Sequence, residues 1–178
     1  MPNSDFNRGF ILDANAFYSG FPFTLSSLIC YTTSLVFNEV KHIKRSYSAL
    51  EALIGVGNLI VIDPEEQYLE KIIFVAKKTG DYLRLSQADL SILALAFQLQ
   101  MTLISDDFAV ENVATFLQIP FKTIGTKGIA AVRKWIAICK TCGRAYNSNT
   151  NECLICGNKL KRRFKKISKT EHLDIFSS

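Results

Sequence analysis

Residues 86–113 have the sequence SQADLSILALAFQLQMTLISDDFAVENV, and this stretch decides the predicted fold class. Ser86 followed by Asp89 is typical of a helix start, and apolar residues then recur at helical spacing through Gln100. The inward face of this helix is predicted to carry Leu93, Ala96 and Phe97. The apolar run at 102–105 is short enough for a strand, and it ends in two aspartates before a second helical pattern begins. A helix, a strand and a helix in this order are typical of α/β proteins.

The same alternation extends through most of the chain. Further strands are predicted at residues 10–12, 31–33, 59–62 and 119–124, the last of them beginning after Pro120. Ser34 can cap a helix with an apolar stripe of Val36, Val40 and Ile43, which continues, or is followed by a second helix, through Leu50 and Leu53. Asp63, Pro64 and Glu66 form the capping signature of another helix, with Asp63 as its cap. The sequence therefore predicts an α/β fold in which helices flank a parallel sheet and the crossovers are right-handed.

Charge and cysteine divide the chain into unequal parts. The net charge of the 178 residues is +5, but residues 139–178 hold nine Lys and Arg against three acids, whereas residues 1–138 hold twelve against thirteen. Four of the five cysteines also lie beyond residue 138. We therefore expect a near-neutral body over residues 1–134, a small cysteine module over 135–164 and a basic, polar tail over 165–178.

Composition excludes several classes of protein. No stretch approaches 18 uninterrupted apolar residues, so no transmembrane helix is expected, and the polar start, Met1–Arg8, lacks the pattern of a signal peptide. These features favour a cytoplasmic protein, in which structural disulfides are rare. Cys30 then resembles a small buried hydrophobic residue, and the other cysteines need a different explanation.

Two carboxylates follow predicted strands. Asp13 and Asp106 come at the carboxyl ends of their strands, where ligands of open α/β sheets bind. Two such acids repel each other unless a proton or a cation lies between them, and Mg²⁺ takes oxygen ligands of this kind. Glu39, which borders the apolar stripe of its helix, and Asp89, in the first turn of its helix, can complete the group. The set is suited to metal-assisted hydrolysis of a phosphodiester.

Each acid also has a purely structural interpretation. Asp89 can complete a capping box with Ser86, and Glu39 can pair on the surface with Lys41 or Lys44. Asp13 can cap the helix that begins near Asn15, and Asp106 and Asp107 can be turn residues. Asp107 can also be a helix cap, which is favoured, or an acid that supports the metal ligands without binding the ion itself. Spacing alone leaves both interpretations open.

The cysteine module has the spacing of a metal site. Cys139 and Cys142 form one C-x-x-C pair and Cys153 and Cys156 form another, and each pair is followed directly by a glycine. Two such turns supply four thiolates for a tetrahedral Zn²⁺, and their closing glycines allow the backbone to bend around the sulfurs. A pair of redox dithiols is the alternative, but neither pair lies beside a βαβ pattern. With four protein ligands the zinc is structural, and it supplies much of the folding free energy of so small a module.

A basic segment with aromatic residues surrounds the cysteines. Lys and Arg beside exposed rings are suited to phosphate contacts and to stacking on unpaired bases, although a solvated tail is the alternative. The candidate RNA-binding residues are Arg144, Tyr146, Lys161, Arg162, Arg163, Phe164, Lys165 and Lys166.

Four segments resemble the PIN-domain ribonucleases: 11–17, 33–40, 85–96 and 104–108. The resemblance covers residues 9 to about 125. It implies that Asp13, Glu39, Asp89 and Asp106 are the metal-binding and catalytic quartet of a metal-dependent endoribonuclease.

A PIN domain followed by a four-cysteine zinc ribbon is similar to the archaeal Nin-one-binding endonucleases. Residues 106–114 carry that likeness, although Ser105, Phe108 and Glu111 stand where the family usually has Thr, Tyr and Gln. The resemblance implies maturation of the 3′ end of small-subunit ribosomal RNA with Mg²⁺ or Mn²⁺, with the rRNA precursor, the small ribosomal subunit and a regulatory protein as partners. A toxin-type PIN ribonuclease, which usually ends with the PIN domain, and a non-catalytic RNA-binding assembly factor are the alternatives.

Overall fold

The computed structural model of the protein describes residues 9–24, 28–41, 47–125 and 133–166. The helices in these ranges are α1 (Ala14–Tyr18), α2 (Phe21–Thr24), α3 (Ser34–Val40), α4 (Tyr47–Gly55), α5 (Glu66–Thr79), α6 (Gln87–Leu99) and α7 (Phe108–Phe116), with one 3-10 turn at Tyr82–Arg84. The strands are β1 (Phe10–Leu12), β2 (Cys30–Thr32), β3 (Leu59–Val61), β4 (Thr102–Ile104), β5 (Phe121–Lys122), β6 (Arg133–Ile138), β7 (Ala145–Asn147) and β8 (Lys161–Lys166).

The first five strands form a parallel sheet in the order β3-β2-β1-β4-β5. The predicted α/β class and parallel sheet are confirmed. β1 lies at the centre, and all three of its residues are buried, which is why it is apolar throughout instead of alternating. Leu12 pairs with Ile104, so β1 and β4 end side by side. The main-chain N–H of Asp13 donates to the Ile104 carbonyl at 3.1 Å, and this bond brings the residues that follow the two strands together.

Helix α6 is buried on nearly all sides. Ala88 and every residue from 90 to 96 are buried, because the helix packs against α3, α5 and α7 as well as against the sheet. The prediction of a single inward face was therefore too narrow, and Phe97, placed on that face, is only half-buried. A helix apolar all round is typical of the interior of a protein.

Two predicted helix caps are wrong. Helix α5 begins at Glu66 after Glu65, without a side-chain cap, whereas Asp63 accepts hydrogen bonds at 2.9 Å from the main-chain N–H and the hydroxyl of Ser34. Thr33 caps α3, and Ser34 is the first residue of that helix. Neighbouring parallel strands end at the same edge, so Asp63, after β3, meets the start of the helix that follows β2. Ile43 and Lys44 lie outside the described residues.

A second, antiparallel sheet, in the order β7-β6-β8, carries the cysteines. It begins at Arg133 and ends at Lys166, so the basic segment is a strand and the sheet extends past both limits predicted for the module. We call residues 133–166 the ribbon. The ribbon packs against the C-terminal end of α5. None of the helices within the described ranges has the length and apolar character needed to cross a membrane.

Candidate active site and cysteine metal centre

Asp13 is a buried carboxylate held from two sides. It follows β1, its side chain is 5% exposed, and its Oδ1 accepts from the main-chain N–H of Ala14 at 2.5 Å, as the cap of α1. Its Oδ2 accepts from the hydroxyl of Ser105 at 2.5 Å. Ser105 in turn accepts from the main-chain N–H of Asp107 at 3.1 Å, so one hydroxyl links the end of β1 to the start of α7. The capping interpretation of Asp13 is confirmed, and the carboxylate is also fixed in orientation.

Three carboxylates interact at this edge of the sheet. The pKa of Asp13 is raised from 3.8 to about 6, mainly by burial and in part by the nearby charges of Asp89 and Asp107, while the hydrogen bond from Ser105 opposes the shift. The pKa of Asp89 is also raised, first by burial and in part by Asp107. We call Asp13, Asp89 and Asp107 the acidic cluster. Its members come from three separate segments, and like charges placed in this way favour a cation between them.

Asp89 has a structural role as well. It accepts from the main-chain N–H of Ser86 at 2.7 Å, and the Ser86 hydroxyl accepts from its own N–H at 3.1 Å. The capping box at the start of α6 is therefore confirmed. The box holds the Asp89 side chain at the helix N-terminus, where its charge acts on Asp13.

The two aspartates after β4 differ in what they contact. Asp106 Oδ1 accepts from the main-chain N–H groups of Ile124 and Gly125, at 2.8 and 3.3 Å, and so ties the chain beyond β5 to β4. Asp107 Oδ1 caps α7, as predicted, and its charge also acts on Asp13 and Asp89. The sequence left Asp107 as either a helix cap or an acid that supports the metal ligands, and it favoured the cap, because nothing in the spacing of the two aspartates after the strand separates these roles. The assignment of Asp106 as a metal ligand stays a prediction.

Glu39 lies on the exposed side of α3, one residue before the buried Val40. The proposed partner Lys41 donates instead to the side-chain oxygen of Asn38 at 2.7 Å. The role of Glu39 as a metal ligand stays a prediction.

The acidic cluster has the chemistry of a site for a hard divalent cation. Its donors are carboxylate oxygens, and burial, together with the charge of Asp107, raises the pKa of both Asp13 and Asp89, so a nearby cation would favour their ionised forms. The three carboxylates do not form a group whose ligand atoms all lie within 4.8 Å of one another. Within the described ranges, the four cysteines form such a group. Mg²⁺ keeps several waters and takes one or two carboxylates directly, so the wider spacing is compatible with such an ion.

The four predicted cysteines come together at one end of the second sheet. The sulfurs of Cys139 and Cys156 are 3.4 Å apart and those of Cys142 and Cys153 are 3.5 Å apart. A disulfide needs about 2.05 Å, whereas a tetrahedron with metal–sulfur bonds of about 2.3 Å places its sulfurs about 3.8 Å apart. The spacing therefore fits a tetrahedral metal ion.

The turns around the sulfurs depend on glycine and on a tyrosine. Gly143 and Gly157 donate to the carbonyls of Cys139 and Cys153 at 2.9 Å, with φ of +71° and +66°, a conformation that glycine adopts without strain. The Tyr146 hydroxyl contacts Cys153 Sγ at 3.1 Å and lowers the pKa of that thiol, which favours the thiolate that binds metals. The hydroxyl of this predicted RNA-binding residue is therefore directed at the metal centre.

The basic strand β8 alternates between two faces. In the register of β8 with β6, Arg163 lies opposite Ile136, while Phe164 lies opposite Trp135 with ring centroids 5.8 Å apart. Residues on successive positions point to opposite faces, so Arg162 and Phe164 share the face of Trp135, and Lys161, Arg163 and Lys165 share the other. We call the second face the outer face. Lys161, and to a smaller extent Arg163, lowers the pKa of Lys140. Lys140 therefore lies beside the outer face. Arg144 is exposed, and the side chain of Lys166 lies outside the described residues.

Comparison with known proteins agrees with this architecture. The family described as "PIN domain of ribonuclease" matches residues 10–99, about half of the 178 residues. The chain belongs to the PIN-domain ribonuclease family. Endoribonuclease Nob1 of Pyrococcus abyssi is 37% identical over 153 residues, which are 85% of this chain and 91% of that protein.

Two other relatives of this PIN-domain ribonuclease carry different names. Ribonuclease VapC1 of Thermoplasma acidophilum is 31% identical over 157 residues, 88% of this chain and 79% of that protein. The 20S-pre-rRNA D-site endonuclease NOB1 of Saccharomyces cerevisiae is 40% identical over 82 residues, 46% of this chain and 18% of that protein. The family match includes Asp13, Glu39 and Asp89 and ends before Asp106 and Asp107.

Proposed function

We propose that this endoribonuclease cuts a single-stranded segment of ribosomal RNA precursor and so forms the 3′ end of the small-subunit RNA during ribosome biogenesis. The observation that carries the proposal is the acidic cluster of Asp13, Asp89 and Asp107 in a chain that also holds a basic ribbon. The name of the Pyrococcus relative supports an endoribonuclease, and the name of the yeast relative supports a ribosomal RNA precursor as the substrate. The small ribosomal subunit and a regulatory protein are the further partners we propose.

In this proposal the acidic cluster holds Mg²⁺ or Mn²⁺, with Asp13 as a direct ligand. When bound, the ion provides positive charge at the scissile phosphate and lowers the pKa of a water that attacks phosphorus. Ser105 and the N–H of Ala14 keep Asp13 in place, which limits reorganisation during the reaction. Asp89 and Asp107 add negative charge from their helix starts, and Glu39 and Asp106 are proposed to contribute directly or through water.

The ribbon binds RNA in this proposal, and Zn²⁺ at the four cysteines holds its fold. Lys161, Arg163 and Lys165 project from the outer face, and the sequence of β8 contains no acidic residue. Such a face releases counterions when it binds phosphates, so affinity should fall steeply with salt. We expect Lys161→Ala to reduce the slope of log K against log salt by about 1.

Ribonuclease VapC1 supports a second candidate, a PIN ribonuclease that acts on transfer or messenger RNA. Its match with this chain leaves about 21 residues uncovered (178 − 157), fewer than the 30 residues predicted for the module, so it includes part of the ribbon. A segment after the PIN domain therefore does not distinguish the two candidate functions. They are distinguished by which RNA the protein cleaves.

End-mapping of cleavage products tests the function. Wild type and Asp13→Asn are incubated with Mn²⁺ and a precursor that spans the 3′ end of the small-subunit RNA, and with transfer and messenger RNA. We expect one product end at the mature position from wild type and none from Asp13→Asn. Faster cleavage of transfer or messenger RNA supports the VapC-like candidate. Binding without cleavage under any divalent metal supports an assembly factor, and an active Asp13→Asn overturns the catalytic assignment.

A further inference from the structure

The ribbon face that carries Trp135, Arg162 and Phe164, which we call the inner face, meets the nuclease body at the end of α5. The nuclease body is the part of the chain up to residue 125. Gly80 ends that helix with φ of +81°, and a Cβ placed on it would lie 2.7 Å from Ser148 Oγ and 2.9 Å from Trp135 Cβ. Contacts this short leave no room for a side chain. The ribbon therefore lies directly on the main chain of the nuclease body.

A buried carboxylate joins the two parts beside this contact. Asp81 is 1% exposed, and it accepts from the Asn112 side chain of α7 at 2.7 Å. From the ribbon, the Trp135 side chain also bonds to Asp81, and the positive charge of Arg162 acts on it; these groups oppose the rise in the pKa of Asp81 that burial causes. If the ribbon were removed, the carboxylate of Asp81 would lose these partners, and its charge would be either exposed to water or buried without compensation.

Arg162 closes the interface from the ribbon side. Its guanidinium donates to the Gly80 carbonyl and lies 4.8 Å from the centroid of the Trp135 ring. On the body side, the guanidinium of Arg84 lies 5.6 Å from the same centroid. The ring of Trp135 therefore contacts cations from both parts of the molecule, and cation–π contacts of this type are favourable.

The interface is connected to the acidic cluster through short stretches of chain. Asp81 precedes by five residues the Ser86 cap that holds Asp89, and its partner Asn112 follows Asp107 by five residues. The carboxylate of Asp81 thus contacts both the ribbon and α7, and α7 begins at the acidic cluster.

We propose that the contact of Arg162 and Trp135 with Gly80 and Asp81 fixes the distance between the RNA-binding outer face and the acidic cluster, and that this distance selects the phosphodiester that is cut. The inference rests on the proposed function. Without the contact, β5 and β6 are connected by residues 123–132 alone, and ten residues span up to about 35 Å when extended. An RNA bound to an undocked ribbon could then present several phosphodiesters to the acidic cluster.

Two neighbouring arginines provide the test, because Arg162 faces the nuclease body and Arg163 faces outward. Product ends, RNA affinity and the fluorescence of Trp135, the sole tryptophan in the chain, are measured for Arg162→Ala and Arg163→Ala. Arg162→Ala is expected to shift the tryptophan emission to the red and to spread the products over several adjacent positions, with affinity within about twofold of wild type. Arg163→Ala is expected to weaken binding several-fold and to leave both the emission and the cut position unchanged. Arg162→Lys, which retains the charge, should restore part of the wild-type product pattern.

The outcomes separate this inference from the proposed function. A single unchanged product end from Arg162→Ala, with or without an emission shift, overturns the inference and leaves the endonuclease assignment intact. Loss of affinity in Arg162→Ala equal to that in Arg163→Ala, with the product end unchanged, shows a direct RNA contact and also overturns it. If wild type cuts no RNA at a defined position, the proposed function fails and the selection of a cut site fails with it. Asp81→Asn, which disturbs the same interface from the body side, should reproduce the effects of Arg162→Ala.

Discussion

Asp13→Asn should stabilise the fold while it abolishes cleavage. The pKa of Asp13 is raised by burial from 3.8 to about 6, so the folded state binds its proton more tightly than the unfolded state does. A carboxyl of this kind lowers stability as pH rises from 3.8 through 6, because ionisation then favours the unfolded chain. A shift of about two units corresponds to about 3 kcal/mol at pH 7.5, about half of that at pH 5 and under about 1 kcal/mol at pH 4. Asparagine removes the charge, so the gain in the free energy of unfolding should follow the same series and reach at most about 3 kcal/mol at pH 7.5.

Urea denaturation without added Mg²⁺ or Mn²⁺ at the three pH values measures this gain, and cleavage with Mn²⁺ is assayed in parallel. Asp63→Asn is the matched control, because Asp63 is an exposed aspartate that accepts from the main-chain N–H of Ser34, and the change should alter stability little at any of the three pH values and leave cleavage intact. In wild type, added Mn²⁺ should raise the melting temperature, since a ligand that binds only the folded state stabilises it, and Asp13→Asn should lose most of this response. If Asp13→Asn is less stable than wild type at pH 7.5, or if its effect does not depend on pH, the uncompensated buried charge is not present.

Three further experiments test other parts of the structure. Cys139→Ser should reduce the zinc content of the purified protein toward zero by elemental analysis, whereas Cys30→Ser, at a buried cysteine far along the chain from the centre, should keep its zinc; unchanged zinc in Cys139→Ser would reject the site. Gly80→Ala should lower the free energy of unfolding in urea by at least about 1–2 kcal/mol, because its φ is +81° and its Cβ would collide with the ribbon, whereas Gly55→Ala meets no atom and should be neutral or mildly stabilising; equal effects would contradict the close packing. Asp89→Ala and Ser86→Ala each remove half of the capping box and should each cost about 1 kcal/mol, but cleavage should be lost in Asp89→Ala alone; equal loss in both would indicate that Asp89 acts only as a cap.

The fold class could be predicted from the sequence because each element carries its own signal. The apolar run of β1 and the helical spacing of α6 depend on neighbours within a few residues, and both elements were located within one or two residues of their observed ends. The cap at Asp63 was predicted wrongly because its partner, Ser34, lies 29 residues away in the sequence. A local capping signature cannot reveal a hydrogen bond that exists only after two strands have paired.

Asp106 and Asp107 show the same limit at the candidate site. Both follow β4, but their side chains point in different directions. Asp106 accepts from the main chain beyond β5, whereas Asp107 accepts from the first turn of α7. The basic strand shows it again: eight basic and aromatic residues were grouped as RNA-binding, yet the pairing of β8 with β6 places Arg162 and Phe164 on the face of Trp135 and Arg163 on the outer face.

The sequence by itself determined the alternation of strands and helices, the acids at strand ends and the four-cysteine spacing, since each of these is a pattern of residue types over a short distance. The tertiary structure alone decided which carboxylates share a charge environment, which arginine faces the nuclease body and that Asp81 is buried between the two parts. Those properties arise from burial and from contacts between residues far apart in the chain, and such contacts form only when the sheets and helices pack together.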